Sequence, residues 1–202
     1  MPNQPPRATS SLSAPAAALA TKLERGAYGD FFNYAVREQA IDDVWAEPDA
    51  HANLEEIVRD RHATPRARFL ASEVLFDKHF TFASAVGPPV VAEIYVDALR
   101  GNLTGMANSW GLLYEHDDEG PVGIRFVMLG EGAVPALRRL LDDDSPGPTY
   151  AGSEEATVGN AYHFRVKDFA AFYLGKIKRV PVRFHRDPAD RDREIDALRR
   201  AL

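Results

Sequence analysis

The chain has 202 residues, 45% of them hydrophobic and 27% charged, a balance that supplies a core and excludes disorder as a description of the whole. Its 24 Lys and Arg against 30 Asp and Glu leave a net charge of −6, which argues against a phosphate-tracking surface unless a basic patch is strongly segregated. The absence of cysteine excludes a disulfide framework, a thiolate zinc site and a cysteine nucleophile, and no run of about 18 apolar residues offers a membrane span.

Residues 1–25 begin with Pro2, Pro5, Pro6, Ser10, Ser11, Ser13 and Pro15 and read as a flexible tail and entry that cannot bury enough surface to order. A spacer behind a removed secretion or lipoprotein signal is the other reading. The expected compartment is accordingly the cytoplasm, with an exported or lipid-anchored protein as the alternative.

From residue 30 onward the apolar period is helical. Phe32, Ala35, Val36, Ala40 and Val44 form one stripe, and Leu54, Ile57 and Val58 a short second one. Thr64-Pro65 is a helix start with proline in the first turn, followed by Ala67, Leu70, Ala71, Val74 and Leu75. Pro88-Pro89 opens a helix with Val91, Ile94, Tyr95 and Ala98 on its face. Leu103, Met106, Ala107, Trp110, Leu113 and Tyr114 then predict another regular helix. The acidic turn at residues 116–119 interrupts, and Pro121 is expected to restart a helix through Phe126 and Leu129. Gly130-Glu131-Gly132 is a stop before the stripe Val134, Leu137, Leu141.

The loop over residues 143–161 is long for a helical hairpin, whose connections run about 2–8 residues. Val166, Phe169, Ala170, Tyr173, Leu174 and Ile177 form the next stripe, Val180 to Phe184 alternate as a short extended piece, and Asp187-Pro188 starts a polar last helix carrying Ile195 and Leu198. The expected fold is all-α, with a helical-repeat domain over 26–186 and a capping helix over 187–202.

The segment FVMLGEGAVPALRRLLDDD, followed by FRVKDFAAFYLGKI, resembles the HEAT-like repeats of phycobilisome lyases, most clearly over residues 120–177. Val134, Pro135, Leu137 and Leu141 match the first helix, and Arg165, Val166, Ala170, Ala171, Leu174, Gly175 and Ile177 the second. ATPRARFLASEVL at 63–75 looks like another second helix, and 88–114 like a more distant pair, within a weaker match over 51–114. The resemblance implies a short α-solenoid, bacterial in type, in which stacked helix pairs bury what none can bury alone. Such a fold does not itself specify an activity.

No HExxH, phosphate loop, GxSxG elbow or calcium-loop spacing occurs, so neither a metal nor a cofactor is expected and no catalytic residue is named. The residues expected to meet a partner are those of the long loop and its flanks: Tyr150, Glu154, Glu155, Asn160, Tyr162, Arg165, Lys167 and Asp168, joined by Asn108 and Trp110 of the preceding unit. Tyr150 and Tyr162 are the expected anchors, with Arg165 or Lys167 bonding Glu154 or Glu155. For Trp110 core packing competes with a surface role. The functional expectation is a non-catalytic scaffold or adaptor for another, basic protein, in a specific version an immunity-type protein that neutralises an effector. The alternative is a HEAT-like enzyme, bilin-lyase-like or DNA-glycosylase-like, the latter drawing on the basic stretch Lys176 to Arg186.

Overall fold

In a computed structural model of the chain, residues 11–25, 28–33, 35–115 and 118–202 are described. Residues 1–10 of the expected tail, and His116 and Asp117 of the acidic turn, lie outside them. The described residues are all-helical, and their one strand-like pairing is an antiparallel bridge between Pro146 and Arg165. The chain divides into two compact units, one ending at Val86 and one beginning at Gly87, where the sequence suggested a single repeat domain.

The first unit contains α1 (Ala14–Arg25), a 3-10 turn at Tyr28–Phe32, α2 (Arg37–Trp45), α3 (Ala50–Arg59), α4 (Pro65–Lys78) and α5 (Phe82–Val86). Its centre is α4, buried all round from Ala67 to Phe76. Thr64 caps it by accepting the Ala67 N–H at 3.1 Å, with Pro65 in the first turn. The buried Arg68 donates to the Val58 carbonyl at 2.9 and 3.1 Å, satisfying an orphan at the end of α3. Glu73, fully buried, meets Arg37 of α2 at 3.0 Å.

Two expectations are corrected in this unit. Nearly half of the supposed tail is α1, whose Ala16, Leu19, Ala20 and Leu23 are buried against α3 and α4. Small residues on that stripe hid it, because burial against neighbours rather than local hydrophobicity orders it. The stripe expected from Phe32 to Val44 is broken: a 3-10 turn ends at Phe32, α2 starts at Arg37, and Val36 is exposed.

The second unit contains α6 (Pro88–Arg100), a 3-10 turn at Ala107–Trp110, α7 (Ile124–Leu129), a 3-10 turn at Gly130–Gly132, α8 (Val134–Leu140), α9 (Ser153–Val158), a 3-10 turn at Gly159–Tyr162, α10 (Val166–Lys178) and α11 (Pro188–Ala201). Here α10 is central, packing on α7, α8 and α11, while α6 packs on α7 and α8. Leu137, Leu141, Phe169, Ala170, Tyr173 and Leu174, the facing stripes read from the sequence, are all buried. Arg179 turns the chain with φ 55°, and residues 180–184, without regular secondary structure, return so close to α10 that a Cβ at Gly175 would meet Val182 Cγ2 at 2.9 Å.

The expected helix over 103–114 does not form. Asn102, Gly105 and Gly111 take φ of 47°, 76° and 99°, conformations no right-handed helix contains. The apolar side chains keep their burial through turns instead: Ala107, Trp110 and Leu113 are fully inaccessible. Pro65 and Pro188 sit in first helical turns as expected, but Pro121 lies in a turn ahead of α7.

Candidate functional site

The 143–161 segment is a closed loop pinned at three levels. At its base the two limbs pair: the Gly147 N–H donates to the Phe164 carbonyl at 2.8 Å, Val166 to Ser145 at 2.9 Å, and Lys167 to Asp143 at 3.0 Å. Midway, residues 149–151 receive strand-like partners from one backbone amide and two side chains. Ala107 N–H donates to the Thr149 carbonyl at 2.7 Å. The Asn160 amide accepts the Tyr150 N–H at 2.7 Å and donates to its carbonyl at 3.0 Å. Asn108 does the same for Ala151, at 2.8 and 3.1 Å. Both asparagines thus stand in for a neighbouring strand and satisfy the peptide groups of Tyr150 and Ala151.

Tyr150 locks the third level. Its ring is buried, its hydroxyl donates to the Gly111 carbonyl at 3.0 Å and accepts the Leu113 N–H at 3.2 Å. Burial pushes the phenol well above its ordinary pKa, so it stays protonated and keeps donating. Gly159 lets the rings approach, since a Cβ there would stand 2.5 Å from Tyr150 Cδ2 and 2.8 Å from Tyr114 Cε1.

Further bonds tie the described residues 107–115 and 118–123 together. Ser109 accepts the N–H groups of Val122 and Gly123 on its carbonyl, and the buried Tyr173 hydroxyl donates to the Trp110 carbonyl. Trp110 is itself fully buried and donates to Thr104 Oγ1 at 2.9 Å. It is a core residue and is withdrawn from the partner-facing set.

Arg165 and Asp168 are also structural. Asp168, at the start of α10 and inaccessible to solvent, accepts the Arg165 backbone N–H at 2.8 Å and its guanidinium at 3.0 Å. The buried Arg191 of α11 lies 3.2 Å from the same carboxylate and covers the Phe164 ring at 5.1 Å. It also donates to the carbonyls of Tyr162, His185 and Arg186 at 3.0, 2.7 and 3.0 Å. The expected bonds from Arg165 or Lys167 to Glu154 or Glu155 are replaced by nearer carboxylates. Arg165 reaches Asp168, Asp192 and Asp144, and Lys167 reaches Asp144 at 2.6 Å and Asp192 at 2.9 Å. Burial alone would lower the Arg165 pKa, but its bonds to Asp168 and Asp192 more than compensate and hold it above the ordinary value.

What remains at the surface is the tip. No residue of α9 is buried; Glu154 is exposed, Glu155 is half-buried, and Val158 is 41% exposed. Beside α9, half-buried Tyr114 lies 5.5 Å from Tyr150 and 6.1 Å from half-buried Tyr162, centroid to centroid. Tyr114 was read as helix core; it is a rim residue instead. Its phenol is pushed up first by burial and then by the negative charges of Glu115, Glu155, Glu154 and Asp118. Below this rim a groove of about 250 Å³ runs past Pro146, Tyr150, Asn160, His163 and Phe164.

Tyr114, Glu115 and Asp118 are the surface residues that sequence reasoning missed. Their signal was the pair Gly111 and Gly120 bracketing an acidic run, which marks a tight crossing: a Cβ at Gly120 would come 2.7 Å from the Ser109 carbonyl. In the first unit, ligand atoms of His51, Glu55 and His79 lie within 4.8 Å of one another, a grouping that the sequence reading did not single out. No helix among the described residues is long and apolar enough to cross a membrane. No family model, no curated protein and no solved structure matches this chain.

Proposed function

We propose that the chain is a non-catalytic protein-binding module whose ordered loop presents an acidic, aromatic rim to a cationic segment of another protein. The observation that carries this reading is half-buried Tyr114, packed against Tyr150 and Tyr162 within electrostatic reach of Glu115, Glu155, Glu154 and Asp118, beside a tip helix that buries none of its residues. A lysine or arginine of the partner would gain charge attraction from the carboxylates and a ring face from Tyr114 or Tyr162. Effort spent on ordering the loop, in the two asparagine clamps and the Tyr150 lock, favours binding because little conformational entropy remains to be lost on docking.

The scaffold in this proposal is a HEAT-like helix pair, α8 and α10, carrying the loop as an insertion. Its narrower form is an immunity-type protein that covers a basic surface of an effector. Three of the six basic residues in the stretch that prompted the nucleic-acid alternative meet acids: Lys176 meets Glu119 at 3.0 Å, Lys178 meets Glu131 at 2.7 Å, and His185 meets Glu194 at 3.5 Å. Affinity purification from native lysate tests the proposal, comparing the natural chain with Glu154→Lys/Glu155→Lys. The proposal predicts a stoichiometric partner captured by the first bait and lost from the second while the fold is retained. Equal capture by both baits contradicts it, and steeply salt-dependent binding to duplex DNA would favour the glycosylase-like reading.

A further inference from the structure

The first unit holds a second cluster of chemistry-bearing side chains, unrelated to the loop. His51 and Glu55 stand one turn apart on α3, so both project from the same face. His79 is the residue that ends α4, where its N–H donates to the Leu75 carbonyl at 2.7 Å and its carbonyl accepts the Phe82 N–H at 2.9 Å. Because α3 packs on α4, that terminus faces the His51–Glu55 turn. The two imidazole rings meet edge to face, 4.3 Å between centroids.

We propose that His51, Glu55 and His79 form a binding site for a divalent transition-metal ion, with zinc the best-matched species. Two imidazoles and one carboxylate are a borderline-soft donor set of the kind zinc takes, and three protein ligands leave a fourth position for water. Bonds of about 2.1 Å in a tetrahedron set neighbouring donors about 3.4 Å apart. His51 Nε2 and Glu55 Oε1 already stand 3.2 Å apart, and all three ligand atoms lie within 4.8 Å of one another. Closing the remainder takes a side-chain rotation, which His51, with 47% of its side chain exposed, is free to make.

The surroundings hold the ligands as outer-shell groups do. Arg59 grips the other carboxylate oxygen of Glu55, Oε2, at 2.6 Å, leaving Oε1 directed at His51. The Thr81 hydroxyl lies 3.3 Å from His79 Nε2, an orienting contact that assigns Nδ1 of that ring to the metal. The Trp45 ring, 6.0 Å from His51, shields one flank. Such partners orient ligating groups and raise affinity.

The test is a calorimetric titration of the untagged full chain with zinc chloride, paired with visible absorption on adding cobalt(II). The proposal predicts saturation at one ion per chain and the strong visible bands of four-coordinate cobalt. His51→Ala, at an exposed position and with its fold checked by circular dichroism, should weaken binding by at least the roughly 10–100-fold that loss of an outer-shell partner costs, as should Glu55→Gln. His79→Ala should do the same, with circular dichroism confirming its fold, and His185→Ala should change nothing. Absence of saturable binding in the natural chain overturns the proposal. So does zinc affinity that survives His51→Ala, since the ion would then be held elsewhere.

Discussion

Replacing Tyr150 by phenylalanine removes one oxygen and leaves the ring where it is, so it isolates the lock between the loop and the turn at residues 111–113. Two buried backbone groups lose their partner: the Gly111 carbonyl, which accepts the hydroxyl at 3.0 Å, and the Leu113 N–H, which donates to it at 3.2 Å. Stranding a buried polar group costs about 1–3 kcal/mol, and the ring's contacts with Tyr114 and Phe164 remain. The expected loss is about 2–4 kcal/mol, which for a unit of this size is a fall of roughly 10 °C in the midpoint of its thermal unfolding. Differential scanning calorimetry measures that loss. Native-state hydrogen exchange reports whether the Leu113 amide opens. A destabilisation under about 0.5 kcal/mol, with Leu113 still protected, would refute the view that this hydroxyl pins the loop.

Three further outcomes follow from the same geometry. Arg191→Met keeps the stem but strips the carbonyls of Tyr162, His185 and Arg186 of a donor and Asp168 of a neighbouring cation; chemical denaturation should show a loss of about 3–5 kcal/mol. Gly159→Ala should cost about 1–3 kcal/mol by overpacking against Tyr150 and Tyr114, with the near-ultraviolet circular dichroism of the tyrosines changed. Stability should also fall in acid. Burial alone would raise the Asp192 pKa, but Arg165 and Lys167 outweigh it and hold the carboxyl below its ordinary value. Its contribution is therefore complete above about pH 4–5, where the unfolded chain is also ionised, and is lost as pH falls through the depressed native value. Asp192→Asn should flatten the urea-midpoint profile between about pH 5 and pH 3, and an unchanged profile would show the network is not the cause.

The helices that reasoning from spacing recovers are those whose stripes are long and whose starts carry chemistry: α4 behind Thr64-Pro65, α6 behind Pro88-Pro89, and α10 with its run from Val166 to Leu174. Where local pattern and tertiary packing diverge, the pattern misleads. Residues 103–114 repeat their apolar side chains at helical spacing, yet Gly105 and Gly111 adopt positive φ, and burial is reached through turns that periodicity does not encode. In α1 the reverse holds, because Ala16 and Ala20 bury little area each and the helix draws its stability from α3 and α4.

At the candidate site, the long loop and its tyrosine anchor were legible because an ordered insertion needs aromatic contacts to hold it. The ion pairs were not. Proximity in sequence suggested Glu154 or Glu155 for Arg165, whereas Asp168 one helical turn on and Asp192 on α11 lie closer in space. The electrostatic reach of Glu154 and Glu155 to Tyr114 depends on the same long-range folding. So does the approach of His79 to His51 and Glu55, since one residue ends α4 and the others share α3.

The most direct measurement of the binding claim places a photo-crosslinking amino acid at Thr157, an exposed position on α9, in the living cell. If the acidic rim docks a cationic protein, irradiation yields a discrete adduct. That adduct disappears when Glu154 and Glu155 are both changed to lysine, while the chain stays folded. No adduct at Thr157, or one indifferent to that charge reversal, would contradict the account.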